Sequence, residues 1–245
     1  MEKLLNDSAF DNIRENLKVI RDKISEAAVK SGRGENDVSL MAVTKTIDVP
    51  RINYAIEECG VNLIGENRVQ EFESKAGELD LSHCRAHLIG HLQSNKAKKI
   101  VGRVDVIQSV DTVSIAREIA KHALAREITQ KVLIEVNIGC EWSKFGFDIS
   151  EAGEKTAEIA EIDGIKVEGL MCVAPICENN AELLKIFENM HKLFIDIDSK
   201  KSDNIDMKIL SMGMSGDYET AILGGSNLVR VGSAIFGPRI YSDKH

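Results

Sequence analysis

The chain has 245 residues, of which 43% are hydrophobic and 29% charged, and its formal net charge is −8. This composition is typical of a globular protein, and no stretch is apolar for long enough to cross a bilayer. The charged first residues lack a signal-peptide core, so we predict a cytoplasmic protein with no membrane partner. The acidic balance also disfavours a nucleic-acid partner, because neutralising phosphates requires a basic face.

The chain opens with a predicted helix, in which apolar residues recur at three- and four-residue steps from Phe10 to Ala27. Eight short apolar runs follow, and each predicts a strand. These runs cover residues 38–45, 62–67, 87–91, 106–110, 132–137, 165–172, 208–214 and 228–236. Between the later runs, segments rich in Glu, Lys, Ala and Leu predict helices, at residues 112–128, 149–162 and 181–197.

Alternating strands and helices favour a parallel sheet, because parallel strands need crossover connections. Eight such units predict an α/β fold, a single (β/α)8 TIM barrel with an extra N-terminal helix. An open doubly wound sheet is less favoured, because no GxGxxG turn follows the first strand. We therefore expect one domain over residues 1–245.

Two residue groups have a structural explanation that we favour over a functional one. Five cysteines are scattered without a CxxC pair, which predicts free thiols in a reducing compartment and no metal site. They are Cys59, Cys84, Cys140, Cys172 and Cys177. A basic cluster at residues 96–103, formed by Lys96, Lys98, Lys99 and Arg103, is interpreted as a solvated helix face.

In a (β/α)8 barrel the active face lies at the carboxyl ends of the strands, and Lys45 ends the first predicted strand. A lysine at a barrel mouth is partly desolvated, which lowers its amine pKa and makes it a Schiff-base nucleophile. The alternative is a lysine that extends its ammonium group to solvent.

Two loop-like stretches rich in glycine and serine lie in or just after the last two predicted strands, and they contain Gly213, Ser215, Gly216, Gly232 and Ser233. Barrels often bind a phosphate at these two strand ends, through backbone N–H groups and hydroxyls. Together with Lys45, the loops indicate a phosphate-bearing aldehyde. Pyridoxal 5′-phosphate (PLP) and the sugar-phosphate substrate of an aldolase both fit, and these residues do not separate them.

Several longer motifs carry a family resemblance that runs from Val38 to Arg239. They are MAVTK, GENRVQE, HLIGHLQSNK, SVD, SKFGF, GLM, SMGMSGDYETAI and VRVGSAIFGPR. With them the sequence resembles the PLP homeostasis protein family, which is similar to the barrel domain of bacterial alanine racemase and of fold-type III decarboxylases.

The resemblance implies a set of cofactor-binding residues. Lys45 would hold PLP as a Schiff base, and Asn67 would lie beside the cofactor ring. Ser215, Gly232 and Ser233 would bind the phosphate. Arg230 would lie toward the pyridine nitrogen or the phosphate, and these two placements stay open. Met212 and Met214 would line the cofactor wall, with core packing as the alternative. Rim residues would be Gln93, Asn95, Lys96, Ser143 and Lys144, with ordinary loop and helix surface as the alternative. Whether Lys144 or another lysine binds a second PLP stays open.

The function that the resemblance implies is a PLP-binding protein of intracellular PLP homeostasis, without catalytic residues, that delivers PLP to apo-enzymes. The alternative is a PLP-dependent amino-acid racemase, which needs a second base opposite Lys45. We find no convincing base, because none of Tyr54, Tyr218 and Tyr241 is plainly placed. We interpret His87 and His91, four residues apart on one strand face, as barrel-wall histidines. A Schiff-base aldolase is a third, weaker hypothesis.

Overall fold

The computed structural model describes residues 2–139, 145–177, 179–200 and 202–238, with side chains from Phe10 onward. The strands within these ranges are β1 (Ser39–Val43), β2 (Leu63–Glu66), β3 (Arg85–Leu88), β4 (Val106–Val110), β5 (Gln130–Asn137), β6 (Phe147–Asp148), β7 (Ile165–Cys172), β8 (Ile205–Ser211) and β9 (Leu228–Val231). The helices are α1 (Glu2–Lys30), α2 (Val49–Glu57), α3 (Val69–Lys75), α4 (Ser94–Ile100), α5 (Val113–Leu124), α6 (Ala152–Ala160), α7 (Asn180–Asp198), α8 (Tyr218–Leu223) and α9 (Ser233–Phe236).

Eight of the described strands close into a parallel barrel in the order β4-β3-β2-β1-β9-β8-β7-β5, because β4 also pairs with β5. At the junction of the first and last strands, Met41 lies beside Arg230 and Ala42 beside Val231. The predicted α/β class, the (β/α)8 barrel and the N-terminal helix are therefore confirmed.

The strand ends differ from the prediction in several strands. Both β3 (Arg85–Leu88) and β8 (Ile205–Ser211) begin and end earlier than the predicted runs 87–91 and 208–214. β1 ends at Val43 instead of Lys45, because the chain turns at Thr46, whose φ is +66°. β9 ends at Val231, because the Gly232 carbonyl accepts from the amides of Ile235 and Phe236 and starts α9. The short strand β6 was not predicted, and it pairs with the end of β5 outside the ring.

The core has an outer layer and an inner layer, which follow from the alternation of side chains along each strand. The large outer cluster packs strand residues such as Ala42 and Ile107 against the helices. Two smaller clusters, built around Met41 and Leu133, fill the inside of the barrel. No helix in the described ranges has the length and hydrophobicity that a membrane span requires.

Helix α1 packs on the barrel with its apolar face buried, including Leu17 and Ile20. It also contacts the last two helices, since Asn16 Nδ2 donates to the Ile235 carbonyl oxygen at 3.0 Å. Just after α1, the Arg33 guanidinium donates to the Ser226 carbonyl at 2.7 Å and also to the Ile222 carbonyl. The extra helix and the turn after it thus help to fix the segments that carry the glycine- and serine-rich loops.

Candidate functional site

Lys45 lies half-buried in a turn that begins directly after β1. The turn is closed by a hydrogen bond from the Ile47 amide to the Thr44 carbonyl, at 3.0 Å. The Thr46 amide, in a left-handed conformation that disfavours a β-branched residue, donates to the Glu71 carboxylate. These contacts fix the backbone on both sides of Lys45, so they hold its side chain at the carboxyl end of the barrel.

A buried ion pair supports this turn from below. Glu66, 1% exposed, accepts hydrogen bonds from Thr44 Oγ1 and from Lys75 Nζ, each at 2.8 Å. Lys75 Nζ also donates to the Thr44 carbonyl at 3.0 Å. Burial raises the pKa of the Glu66 carboxyl, while the Lys75 hydrogen bond and charge oppose that rise. The network ties the ends of β1 and β2 to helix α3.

The two glycine- and serine-rich loops meet beside Lys45. Ser215 Oγ accepts from the Gly232 amide at 3.3 Å and lies 3.3 Å from Ser233 Oγ. A small cavity is lined by Val43, Lys45, Ile47, Gly232, Ser233 and Gly237. The structure therefore places Lys45, Gly232 and Ser233 around one cavity, with Ser215 bonded to its wall.

The two methionines of the eighth unit have different surroundings. Met212 is fully buried in the large core cluster, while Met214 is 39% exposed. The position of Met212 favours the core-packing alternative over a place in the cofactor wall.

Arg230 is buried inside the barrel and begins a chain of side-chain hydrogen bonds. Its guanidinium donates to the Cys172 carbonyl at 2.8 Å and to Ser211 Oγ at 2.7 Å. Ser211 donates in turn to Gln108 Oε1 at 2.7 Å, and Gln108 Nε2 lies 2.8 Å from His87 Nδ1. Because burial lowers the pKa of His87 to about 3, the imidazole is neutral and Nδ1 accepts from Gln108.

Glu135 is a half-buried acidic group of β5 that sequence reasoning did not single out. Burial raises the pKa of its carboxyl to about 7, Asp111 adds to the rise, and the charge of Arg230 opposes it. Its only sequence signal was a charged residue within the apolar run VLIEVN, at an even step from Leu133, which lies inside the barrel.

Asn67 follows β2 and lies half-buried, one strand away from Lys45. Its backbone and side chain pack so closely on Gly90 that a Cβ at Gly90 would stand 2.1 Å from the Asn67 carbonyl oxygen. It lines a separate groove of about 500 Å3 with Arg68, Gln70, His91, Gln93 and Lys96.

The two predicted wall histidines lie in different environments. His87 is buried in β3, whereas His91 lies beyond the strand end and is partly exposed. His91 Nδ1 is 2.7 Å from Asp111 Oδ2, and its ring stacks on Phe145 with centroids 3.8 Å apart.

Another large groove lies away from Lys45. A groove of about 620 Å3 lies at the amino ends of the strands, against α1, and Arg21, Glu35, Asn36, Asn62 and Arg85 are among its lining residues. Because barrel active sites form at the opposite face, we do not place the site there. No cluster of three possible metal ligands occurs in the described ranges, and Cys59, Cys84 and Cys177 are free thiols. Cys140, Ser143, Lys144 and Tyr241 lie outside the described residues.

The chain is similar to known proteins along nearly its whole length. The alanine racemase N-terminal domain family matches residues 9–240. A PLP homeostasis protein of Aquifex aeolicus is 38% identical over 94% of this chain and 100% of its own length. A protein of the same name from Escherichia coli K12 is 37% identical over 96% of this chain and 100% of its own length.

Solved structures give a consistent result. An unknown protein from Bifidobacterium adolescentis is 38% identical, with a TM-score of 0.90 over 94% of this chain and 96% of its own. PipY of Synechococcus elongatus, solved with PLP bound, is 30% identical with a TM-score of 0.75 over 89% of this chain and 100% of its own. Alanine racemase of Clostridium difficile 630 is 17% identical, with a TM-score of 0.74 over 95% of this chain and 58% of its own, and it supports the fold alone. The chain therefore belongs to the PLP homeostasis protein family, within the wider group that has the alanine racemase N-terminal domain.

Proposed function

We propose that this chain binds PLP through Lys45 and serves PLP homeostasis in the cytosol, with residues 1–245 as one PLP-binding domain. The observation that carries the proposal is the cavity that Lys45 shares with Gly232 and Ser233. An amine for an aldehyde and neutral donors for a phosphate line the same space, and PLP carries both of these groups. The names of the relatives and the PLP bound to PipY agree with it.

Each residue of the site has one task in this proposal. The Lys45 amine condenses with the aldehyde carbon and forms a C=N bond with release of water. Ser215, Gly232 and Ser233 hold the phosphate through hydroxyl and backbone N–H groups. Asn67 lies beside the ring, at the end of the strand next to Lys45.

The contacts of Arg230 support its placement toward the pyridine nitrogen. Its guanidinium donates to Ser211 and to the Cys172 carbonyl inside the barrel, not to the loops that contain Ser215 and Ser233. A guanidinium has donors only, so it holds the pyridine nitrogen unprotonated. PLP supplies an electron sink for carbanion chemistry when that nitrogen is protonated, and Arg230 weakens this capacity.

The surroundings of two tyrosines support a binding function without catalysis. In the described ranges, Tyr54 accepts a hydrogen bond from Arg14 of α1, and Tyr218 is buried in the outer core. Neither is placed as a base opposite Lys45. We therefore propose a non-catalytic carrier that keeps free PLP low and passes it to apo-enzymes.

The visible spectrum of the purified protein tests the anchor. We expect a yellow band after PLP is added, its loss or shift in Lys45→Ala, and an unchanged band in Lys98→Ala, which replaces an exposed lysine of α4. A wild-type protein that stays colourless with added PLP would reject the proposal and favour the aldolase hypothesis.

The racemase alternative rests on the His91–Asp111 pair, since an imidazole oriented by a carboxylate is a common general base. For a carrier we expect the α-hydrogen of L-alanine to exchange in deuterated water no faster than with free PLP. Exchange well above that rate, which falls by about 100-fold or more in His91→Gln, would instead establish the racemase function.

A further inference from the structure

We infer that the groove beside Asn67 binds the carboxylate of an amino acid whose amine exchanges with Lys45 at the PLP aldehyde. The groove, called here the carboxylate groove, is lined by Asn67, Arg68, Gln70, His91, Gln93 and Lys96. Its volume of about 500 Å3 lies within the range of small-molecule sites. The inference rests on the proposed function, because it names the class of amine that would release PLP from Lys45.

The groove gathers positive charge on a chain whose net charge is −8. Arg68 and Lys96 both line it, and neither forms an ion pair within the described ranges. By contrast, the nearby basic residues Lys99 and Arg103 form ion pairs with Glu73, at 3.1 and 3.6 Å. Lys96 is moreover half-buried, unlike the exposed Lys98 of the same helix. Two unpaired cations that face one groove favour an anionic ligand.

Neutral donors complete the lining. The side-chain amides of Asn67, Gln70 and Gln93 form no hydrogen bond within the described residues, so each can donate to a ligand. The ring of His91 is fixed by Asp111 and Phe145. A guanidinium beside planar amides suits a carboxylate, which accepts two parallel N–H bonds.

The position of Asn67 connects the groove to the PLP site. It follows β2, which pairs with β1, the strand that presents Lys45, while His91 follows the next strand β3. Adjacent strands lie about 4.8 Å apart, so the groove is roughly 5–10 Å from the end of β1. The amine and carboxylate of an α-amino acid are attached to the same carbon, so the exchange requires the flexible four-carbon stem of Lys45 to bring the aldehyde carbon to the edge of the groove.

The exchange needs no further reactant. The amine nitrogen adds to the aldehyde-derived carbon and forms a new C=N bond, while the C=N bond from that carbon to Lys45 Nζ breaks. The two protons that the neutral incoming amine loses pass to Lys45 Nζ, which leaves as a primary amine, and no group is oxidised or reduced. An amine without a carboxylate can react in the same way but gains nothing from Arg68 and Lys96.

A titration of the visible band tests this selectivity on the PLP-loaded protein. L-alanine is compared with L-alaninol, which replaces the carboxylate with a hydroxymethyl group. We expect Arg68→Gln/Lys96→Gln to raise the half-saturating concentration of L-alanine about tenfold and to leave that of L-alaninol unchanged. Lys98→Gln is the matched control, and it should change neither value.

Equal changes for both amines, or no change for L-alanine, would overturn the inference. A second measurement separates it from the proposed function, because it needs no PLP. The side-chain amide NMR signals of Asn67 and Gln93 are followed in Lys45→Ala while acetate, phosphate or chloride is added at equal ionic strength. We expect a saturable shift with acetate. A shift with phosphate alone, or with none of the three, would reject a carboxylate site even if the PLP band is present.

Discussion

Glu135 illustrates at the scale of a residue how the barrel interior changes an ionisable group. Its carboxyl has a pKa near 7 because burial disfavours the charged form and Asp111 adds like-charge repulsion. The Arg230 guanidinium opposes both effects but does not cancel them. The folded protein therefore retains the Glu135 proton at a pH where the unfolded chain has lost it.

This difference predicts how stability depends on pH. The pKa of Glu135 is about 4.5 in the unfolded chain and about 7 in the folded protein. Its contribution to the free energy of unfolding therefore becomes more unfavourable as pH rises between these two values, and it stays constant above them. Relative to Glu135→Gln, we expect the wild-type free energy of unfolding to fall by about 2 kcal/mol between pH 5 and pH 8. Urea unfolding of both proteins, without PLP, measures this difference. An identical pH dependence would show that Glu135 is already ionised at pH 5 in the folded state.

The residues of the site differ in how far the sequence predicts them. Lys45, Ser215 and Ser233 could be found, because the barrel rule assigns function to strand ends. The contacts of Arg230 could not, since its partners Ser211 and Cys172 lie 19 and 58 residues away in the chain. Local patterns carry no information about contacts that barrel closure alone creates.

At the scale of elements, the eight apolar runs predicted the eight barrel strands, but the predicted ends of β1, β3, β8 and β9 were wrong. The central residues of each strand are fixed by the burial of their side chains, and the apolar runs in the sequence predict which side chains are buried. The strand ends depend on specific hydrogen bonds, such as that from the Thr46 amide to Glu71. β6 has two residues and is defined by its pairing with β5, so it carries no pattern of its own.

The link between β1, β2 and helix α3 depends on the buried pair of Glu66 and Lys75, whose side chains are 1% and 12% exposed. Removing one partner of a buried pair leaves an uncompensated charge, which commonly costs about 3–5 kcal/mol. We expect Lys75→Met to lower the free energy of unfolding by about 3 kcal/mol at neutral pH, measured by urea unfolding.

Two further variants test the cause of this loss. Lys99→Met removes a partner of the more exposed pair with Glu73, and it should cost less than about 1 kcal/mol. Adding Glu66→Gln to Lys75→Met should recover part of the loss, because the unpaired carboxylate is gone. A double variant as unstable as Lys75→Met would instead attribute the effect to lost packing of the lysine side chain.

At the scale of the whole molecule, closure of the barrel brings the first and last strands together and so forms the site. Lys45 follows β1 and Ser233 follows β9, which are neighbours in the ring although they stand at opposite ends of the chain. Helix α1 packs against α8 and α9 and supports the loops before them. Both halves of the proposed PLP site therefore exist only when the ring is closed.

This dependence makes PLP a ligand of the folded barrel alone, which predicts its effect on stability. At a free PLP concentration 100-fold above its dissociation constant, we expect the free energy of unfolding to rise by about 2.7 kcal/mol. Because we propose a single domain, far-UV circular dichroism and the PLP band should report one transition that moves as a whole. At the same PLP concentration, Lys45→Ala should retain only the smaller gain that phosphate binding provides. A gain in Lys45→Ala equal to that of the wild type would show that the covalent bond contributes nothing to holding PLP. Two separate transitions, with only one displaced by PLP, would contradict the single domain, because the two ends of the chain would then unfold independently.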